Sequence, residues 1–538
     1  MKSNEIRIFG PPGTGKTTTL TGLIATACRD YGSEGVLVTS FTRTAARELV
    51  SRNLPISDDR IGTLHALCYR ALDRPKLVAG SLLKDWNAEH PNAQFGGISS
   101  NIDDPYGDIE TSGNQDGDYL LQDYNRLRGL QIERDAWPIR IQNFAEDWQD
   151  FKDHTFTMDF TDLIDRCLQE RVSIPHSAQV MFLDEVQDFS PLELHLARWW
   201  GASCERLYLA GDDDQCLYRF KGATPDAFLY PELPADQVRV LGQSYRVPRV
   251  VHAAASYWIG GLSERMPKEY KPKPVDGLVD QLGITYKWTD PLRGQLEEWI
   301  DAGKSVALLA SCSFFIDPVK HKLREWGIPF WNPYRKTRGD WNPLTGRSGT
   351  VSAADRVRMF RKVADDQQWW TYRDLWEWAG CLRVEGVFHR GAKTDMRRKA
   401  EHEDTAGAAV DVADLEQWFM SEDAGGRATA GDVSWLQSHL LDTYQKPMGY
   451  ACNILESRGA AALKRKPQII LGTIHSVKGG EADIVVLFPD LSPAGYREWT
   501  SPGEAQDAVR RMYYVGMTRA KEALYWAQPV GLSIGGYL

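Results

Sequence analysis

A chain of 538 residues with 42% hydrophobic and 25% charged residues is globular and too long for one core, so about three or four domains are expected. Its formal charge of −10 excludes a general basic field. Any nucleic-acid path must then be a local groove of aromatics and a few cations, and nineteen tryptophans supply aromatic surface. The eight cysteines stand singly, no two within four residues, which excludes a zinc-knuckle or iron–sulfur spacing. Dispersed thiols, no N-terminal signal peptide and no apolar run of membrane-spanning length predict a cytoplasmic protein without a membrane segment.

In chain order, Ile6-Arg7-Ile8-Phe9 reads as a strand that enters a glycine loop, with a helix from Lys16 to Arg29. A buried strand covers 36–40, and a helix runs from about Thr44 to Ser51. Residues 72–178 break this rhythm. They are rich in Trp, Asp and Asn, hold a Gly/Asp loop at 103–118, and read as a mostly helical insertion. Apolar strands follow at 180–183, ending at Asp184, at 206–210, ending at Gly211, and at 238–241. A second α/β unit starts with a strand at 305–309 and a helix at 320–326, and resumes with strands at 469–471 and 483–487. Between them 335–466 is a second insertion, helical around 353–364 and 433–444. Short apolar strands alternating with helices predict an α/β fold with parallel sheets. The expected partition is a first domain of 1–71 and 179–246 around its insertion 72–178. The second domain is 247–334 and 467–538 around 335–466.

Gly10-Pro11-Pro12-Gly13-Thr14-Gly15-Lys16-Thr17 has the spacing G-x-x-x-x-G-K-T between a strand and a helix. Such a loop turns backbone N–H groups, with Gly10, Gly13 and Gly15 at its bends, and the helix N-terminus toward phosphate oxygens. Lys16 is placed to neutralise β- and γ-phosphates and the Thr17 hydroxyl to ligate Mg²⁺, with Thr18 beside it, so ATP and Mg²⁺ are the expected cofactors. Asp184 ends an apolar strand, where a magnesium-holding carboxylate belongs, and Glu185 can take a proton from an attacking water. Gln187 and Gln215 can orient water or sense the γ-phosphate.

Eight blocks recur in order: residues 10–17; Phe41-Thr42-Arg43-Thr44-Ala45-Ala46-Arg47-Glu48; Thr63-Leu64-His65; Asp184-Glu185-Val186-Gln187-Asp188; 211–222; Gln243-Ser244-Tyr245-Arg246; 472–479; and 514–521. In this the chain resembles the superfamily-one DNA helicases of the UvrD/Rep/PcrA type. The insertions match no motif and are placed by position alone. The resemblance implies two RecA-like P-loop domains with the nucleotide between them, and Arg246 and Arg519 as arginine fingers from the second domain or its border. It also implies Tyr245 stacking on the base and Glu481 touching the ribose. It implies single-stranded DNA contacts at Phe41, Thr63, His65, Tyr218, Phe220 and His475. For Phe41 and Phe220 core packing is the competing reading, and for His65 a buried structural role.

The implied activity is ATP-driven 3′→5′ movement on single-stranded DNA and opening of tailed duplexes, by a monomer that works with repair or replication proteins. A translocase that strips proteins with little unwinding, and an ATP-gated DNA-binding subunit of a larger complex, stay as alternatives. An RNA track is also open. Three departures stand out. Nine residues precede Gly10 with no counterpart of the family's adenine-reading glutamine, and Asn4 is the nearest amide. Ala508-Val509 replace two acidic residues. Seventeen residues follow Lys521, without the strand-separating hairpin of many relatives. Loose base selectivity and weak unwinding are the corresponding expectations.

Overall fold

The computed structural model describes residues 4–41, 56–78, 80–96, 115–334, 341–345, 350–366 and 368–535. Its contacts divide the chain into two units. The first comprises Met1–Gly277 and Arg497–Lys521, and the second comprises Leu278–Tyr496 and Glu522–Tyr537. The predicted helix near 44–51 and most of the loop at 103–118 lie outside the described residues.

In the first unit six strands form one sheet: β1 (Glu5–Phe9), β2 (Val36–Ser40), β3 (Ile61–Gly62), β4 (Val180–Asp184), β5 (Arg206–Gly211) and β6 (Val238–Val240). Their order is β3-β2-β4-β5-β1-β6 and every pairing is parallel. Successive side chains point to opposite faces, so each strand feeds two cores. Ile8, Val36, Val38, Val180, Phe182, Tyr208 and Ala210 pack under the helix Lys16–Tyr31 against its Leu20 and Ile24. Phe9, Leu37, Met181, Leu183, Leu207 and Leu209 face the other way, onto Leu64, Leu67, Leu196 and Trp200. A side chain such as Leu20 or Leu183 stabilises the fold by about 1.5–3 kcal/mol through burial. Burial on both faces explains why these strands read as continuous apolar runs.

The register pairs Phe9 with Gly211 and Ser40 with Asp184. The carboxyl ends of β1, β2, β4 and β5 therefore share one edge, the edge at which open α/β sheets bind ligands. The first insertion is helical, as expected, with Gly80–Glu89, Asp116–Gly129, Ile139–Thr155 and Phe160–Gln169. Trp86 packs edge-to-face on Trp148 at 4.9 Å, with Phe95, Phe144 and Phe151 around them. Beside this core, buried Lys152 donates to Asp159 (2.7 Å) and Asp162 (2.6 Å), and Arg128 pairs with the same two carboxylates and Asp165.

The first unit continues past 246. It adds the short parallel pair β7 (Gln243–Pro248) and β8 (Lys271–Lys273), the helix Arg249–Ile259 and the helix Glu504–Met517. The sequence partition gave 247–277 and 497–521 to the second domain. Here they pack with the first, because the two helices lie side by side. Trp258 stacks on Trp499 at 5.5 Å, meets Tyr513, and donates its indole N–H to Arg510 O (2.8 Å).

In the second unit β9 (Leu278–Gln281), β10 (Val306–Ala310), β11 (Phe330–Trp331), β12 (Ile469–Thr473), β13 (Ala482–Leu487) and β14 (Ala520–Trp526) form a sheet of order β11-β12-β10-β13-β14-β9. The helix expected at 320–326 begins at Ser313, because Phe315, Ile316, Val319 and Leu323 make one buried face that continues through Pro318. The second insertion is again mostly helical, from Ala353–Asp366 to Asp442–Arg458, over a core that includes Trp370, Trp378, Trp418 and Trp435. The helical pattern expected over 433–444 is broken after Ser438 and restarts at Asp442.

Candidate active site

The glycine loop leaves β1 at Phe9 and enters the helix at Lys16. Gly13 and Gly15 sit at φ 75° and 77°, a left-handed backbone that suits glycine. A Cβ on Gly10 would lie 2.9 Å from Lys16 Cβ, and one on Gly13 would lie 2.5 Å from Arg246 Cβ and 2.8 Å from Ser244 Oγ. So the loop wraps closely over its own lysine and is clasped from outside by β7. The clasp is built of hydrogen bonds. Ser244 Oγ and Tyr270 Oη both donate to Pro12 O (2.9 Å each), and Tyr245 N donates to Gly13 O (2.8 Å). Thr17 is half-buried and Thr18 exposed.

Lys16 is buried. Burial alone would lower its ammonium's affinity for a proton, but Glu185, Asp184, Asp212 and Asp188 outweigh that and hold it charged, above the ordinary lysine range. Glu185 Oε2 accepts from Lys16 Nζ at 3.5 Å and from Gln187 Nε2 at 2.5 Å. Glu185 itself is non-glycine at φ 57° and ψ 41°. Such a backbone persists only where its surroundings impose it, and it turns Glu185 out of the strand while Asp184 Oδ1 accepts its N–H (2.9 Å).

From Gln187 the hydrogen bonds continue. Gln187 Oε1 accepts from Asp212 N (2.9 Å), Asp212 Oδ2 accepts from Gln215 Nε2 (2.7 Å), and Gln215 Oε1 accepts from Arg519 Nη2 (2.9 Å). Arg519 Nε is anchored on Val515 O (2.9 Å). Lys16, Glu185, Gln187, Gln215 and Arg519, five predicted site residues from four separate blocks, thus belong to one chain of contacts through Asp212. Arg519 is buried inside the first unit, and Arg246 is half-buried beside Gly13 in the same unit. Arg519 stands two residues before the boundary between the units at 521/522, and helix Glu504–Met517 delivers it to the turn after β5. Tyr245 is 72% exposed.

Asp212, Asp213 and Asp214 are all buried, and burying three charges in a row demands compensation. Lys268 Nζ donates to Asp212 Oδ1 (2.7 Å), to Asp214 Oδ2 (3.0 Å) and to Asp213, while Arg265 Nε donates to Asp214 Oδ1 (2.9 Å). Sequence reasoning missed Arg265, Lys268 and Tyr270. The signal was present in part, because three carboxylates behind an apolar strand require cations, but nothing local says which.

The DNA candidates divide. Tyr218 and Phe220 are half-buried, 5.9 Å apart, and Phe41 lies 4.9 Å from Tyr218. Lys221 Nζ stands over all three rings at 4.5–5.6 Å. Phe41 is nevertheless only 9% exposed and also packs on Phe189. Thr63 is buried, with its hydroxyl capping the helix Leu64–Ala71 by accepting from Ala66 N (3.2 Å). His65 is buried 3.8 Å from Glu193; burial, aided by Lys221, depresses its pKa to about 3. In this structure both are interior, Thr63 as the helix cap and His65 in the buried position that was the competing reading for it. His475 is half-buried in the turn after β12, and Glu481 is exposed two residues past Gly479 (φ 83°), both in the second unit. Asn4, the amide nearest the loop in sequence, sits at the opposite, amino end of β1 and donates to Gly201 O (2.7 Å) and Cys204 O (2.6 Å). It is no reader of the base.

A strand–glycine loop–helix unit beside an acidic pair that ends a neighbouring parallel strand defines a P-loop nucleoside-triphosphatase. Residues 2–233 match the UvrD/REP helicase N-terminal domain and residues 450–528 the UvrD-like helicase C-terminal domain. The chain belongs to the UvrD-like helicase family. It is similar to YjcD of Bacillus subtilis (strain 168), 25% identical over 307 residues that cover 52% of this chain and 39% of that protein. It is also similar to ATP-dependent DNA helicase PcrA of Staphylococcus aureus (strain COL), 26% identical over 291 residues, 48% of this chain and 38% of PcrA. DNA helicase II of Salmonella typhimurium (strain LT2) is 23% identical over 607 residues, 97% of this chain and 82% of that protein. The matched region spans less than half the length of YjcD and of PcrA. No described helix is long and apolar enough to cross a membrane.

Proposed function

We propose that this chain is a DNA-dependent ATPase that moves 3′→5′ along single-stranded DNA and opens tailed duplexes. The observation that carries the reading is the unbroken run of contacts from Lys16 through Glu185, Gln187, Asp212 and Gln215 to Arg519. It joins the phosphate loop to an arginine and to the turn that leads into the aromatic cluster of Tyr218 and Phe220.

The residues fit a magnesium–ATP complex. Gly10 and Gly13 leave no room for a Cβ, Lys16 is held charged, and Thr17 with Asp184 offers the hard oxygen donors that Mg²⁺ takes. When bound, the metal supplies charge neutralisation at the phosphate oxygens. The loop N–H groups and Lys16 orient the triphosphate, and Tyr245 stacks on the base. Glu185 takes the proton of the attacking water, and Gln187 and Gln215 align it. Arg246 and Arg519 stabilise the charge that develops on the phosphoryl group, a role worth about 10³–10⁵ in turnover. Tyr218 and Phe220, with Lys221 above them, suit stacked bases, each worth about 1–3 kcal/mol.

The test is ATP hydrolysis with and without single-stranded DNA, run beside strand displacement of 3′-tailed and 5′-tailed duplexes. DNA-stimulated turnover with opening of the 3′-tailed substrate is expected. Preference for the 5′ tail would reverse the polarity. Strong stimulation without displacement would make the protein a translocase, and turnover blind to DNA would end the motor reading.

A further inference from the structure

The buried ammonium of Lys268 is more than charge compensation. We propose that Lys268 is a positioning residue of the ATPase, which fixes the Asp212 carboxylate so that Gln215 holds Arg519 in place. The inference rests on the ATPase reading above.

Three observations carry it. First, Lys268 is 1% exposed and its Nζ reaches all three carboxylates of the turn after β5. Burial disfavours its charge, yet Asp212, Asp214 and Asp213 together raise its pKa above the ordinary lysine range, so the ammonium persists. Second, the two oxygens of Asp212 have separate duties: Oδ1 takes Lys268 (2.7 Å) and, at a longer 3.4 Å, the backbone N–H of Asp214, while Oδ2 takes Gln215 (2.7 Å). A carboxylate gripped at one oxygen cannot rotate freely, and the ammonium is the shorter, charge-assisted of the two bonds at Oδ1, so the direction offered to Gln215 is set chiefly from the Lys268 side. Third, Gln215 turns its other end, Oε1, to Arg519 Nη2 (2.9 Å). The amide has one donor end and one acceptor end in use, and swinging it would offer N–H to a guanidinium, which accepts nothing.

Arg265 provides an internal comparison. It is a second cation of the same cluster, but its hydrogen bonds run to Asp214, whereas Gln215 is held by Asp212. If only the sum of charge mattered, loss of Arg265 and loss of Lys268 would act alike. If direction matters, only Lys268 should reach Arg519. A misplacement of about 1 Å at a reacting group can slow turnover about 10²-fold.

The decisive variant is Lys268→Gln with Asp213→Asn, which removes the bond to Asp212 while one lost cation is matched by one lost carboxylate. The double variant should melt near wild type and keep KM for ATP within about threefold, while kcat falls about 30–100-fold. Combined with Arg519→Ala it should lower kcat by no more than about twofold further, because both changes break one device. Arg265→Gln should stay within about threefold of wild-type kcat. Asp212→Asn cuts the same pair from the carboxylate side and should repeat the kcat loss, which covers the case in which the double variant does not fold. In nucleotide-free protein, hydrogen exchange at residues 515–519 should quicken in the Lys268 variant and not in Arg265→Gln. Unchanged kcat in a folded Lys268 or Asp212 variant, equal losses from Arg265 and Lys268, or unchanged exchange at 515–519 would overturn the proposal. A wild-type protein inert toward ATP would instead sink the ATPase reading, and the exchange result would then decide the positioning role alone.

Discussion

Glu185→Gln should separate binding from chemistry, and the two effects should have opposite signs. Glu185 lies 3.5 Å from Lys16, so it and the phosphates of a bound nucleotide would draw on the same ammonium. Two unit charges at that distance attract by about 5 kcal/mol at an effective dielectric of 20, most of it offset by lost hydration. A charge-assisted hydrogen bond contributes about 1.5–3 kcal/mol net, and this long one belongs at the lower end. Glutamine is isosteric, its oxygen can still accept from Gln187 Nε2, and the left-handed backbone at φ 57° is unchanged. The variant should therefore fold, release Lys16, and bind ATP about tenfold more tightly. Without a proton acceptor, kcat should fall by about 10²–10⁴. Titration with a fluorescent ATP analogue gives the first quantity, and steady-state hydrolysis on single-stranded DNA the second. Wild-type turnover would place the base elsewhere. Binding weakened tenfold would mean that Glu185 assists the lysine instead of restraining it.

Gly13→Ala should destabilise the nucleotide-free protein by about 2–5 kcal/mol, from a left-handed backbone and a Cβ 2.5 Å from Arg246 Cβ. Gly15→Ala meets nothing closer than 4.0 Å and should lose only about 1–2 kcal/mol. Urea unfolding compares them, and equal losses would show that the clasp relaxes. A second measurement concerns pH. Burial raises the Glu193 carboxyl to about 7 and, with Lys221, lowers His65 to about 3. For Glu193 the stability is complete below its unfolded pKa of 4.5 and is lost as pH rises through 7. For His65 the stability is present above 6.5 and is lost as pH falls toward 3. Between about 4.5 and 6.5 the folded pair keeps its proton on glutamate and the unfolded pair on histidine, so the slopes cancel. His65→Asn should remove the cancellation and gain about 1.4 kcal/mol relative to wild type per pH unit below 6.5. Parallel stability–pH curves would refute the neutral buried imidazole.

Local chemistry made the phosphate loop, the acidic pair after β4 and the apolar strands legible in the sequence. A glycine bend, a helix start and a two-sided buried strand each depend on residues a few positions apart. The same reading could carry Gln215 and Arg519 to the site only as matching blocks. Their bond spans a sequence separation of 304 and exists because helix Glu504–Met517 packs in the first unit. Tertiary structure alone decided the rest. Asn4 is near the loop in sequence and at the opposite end of the strand in space, because a strand separates its two ends by about 3.3 Å per residue. Thr63 and His65 lie in a motif block, yet the helix they begin turns them inward. Lys268 lies 56 residues from Asp212, and no pattern in either segment names the other. Periodicity and turns are properties of neighbouring residues, whereas the partner of a buried charge is set by which surfaces the folded chain removes from water.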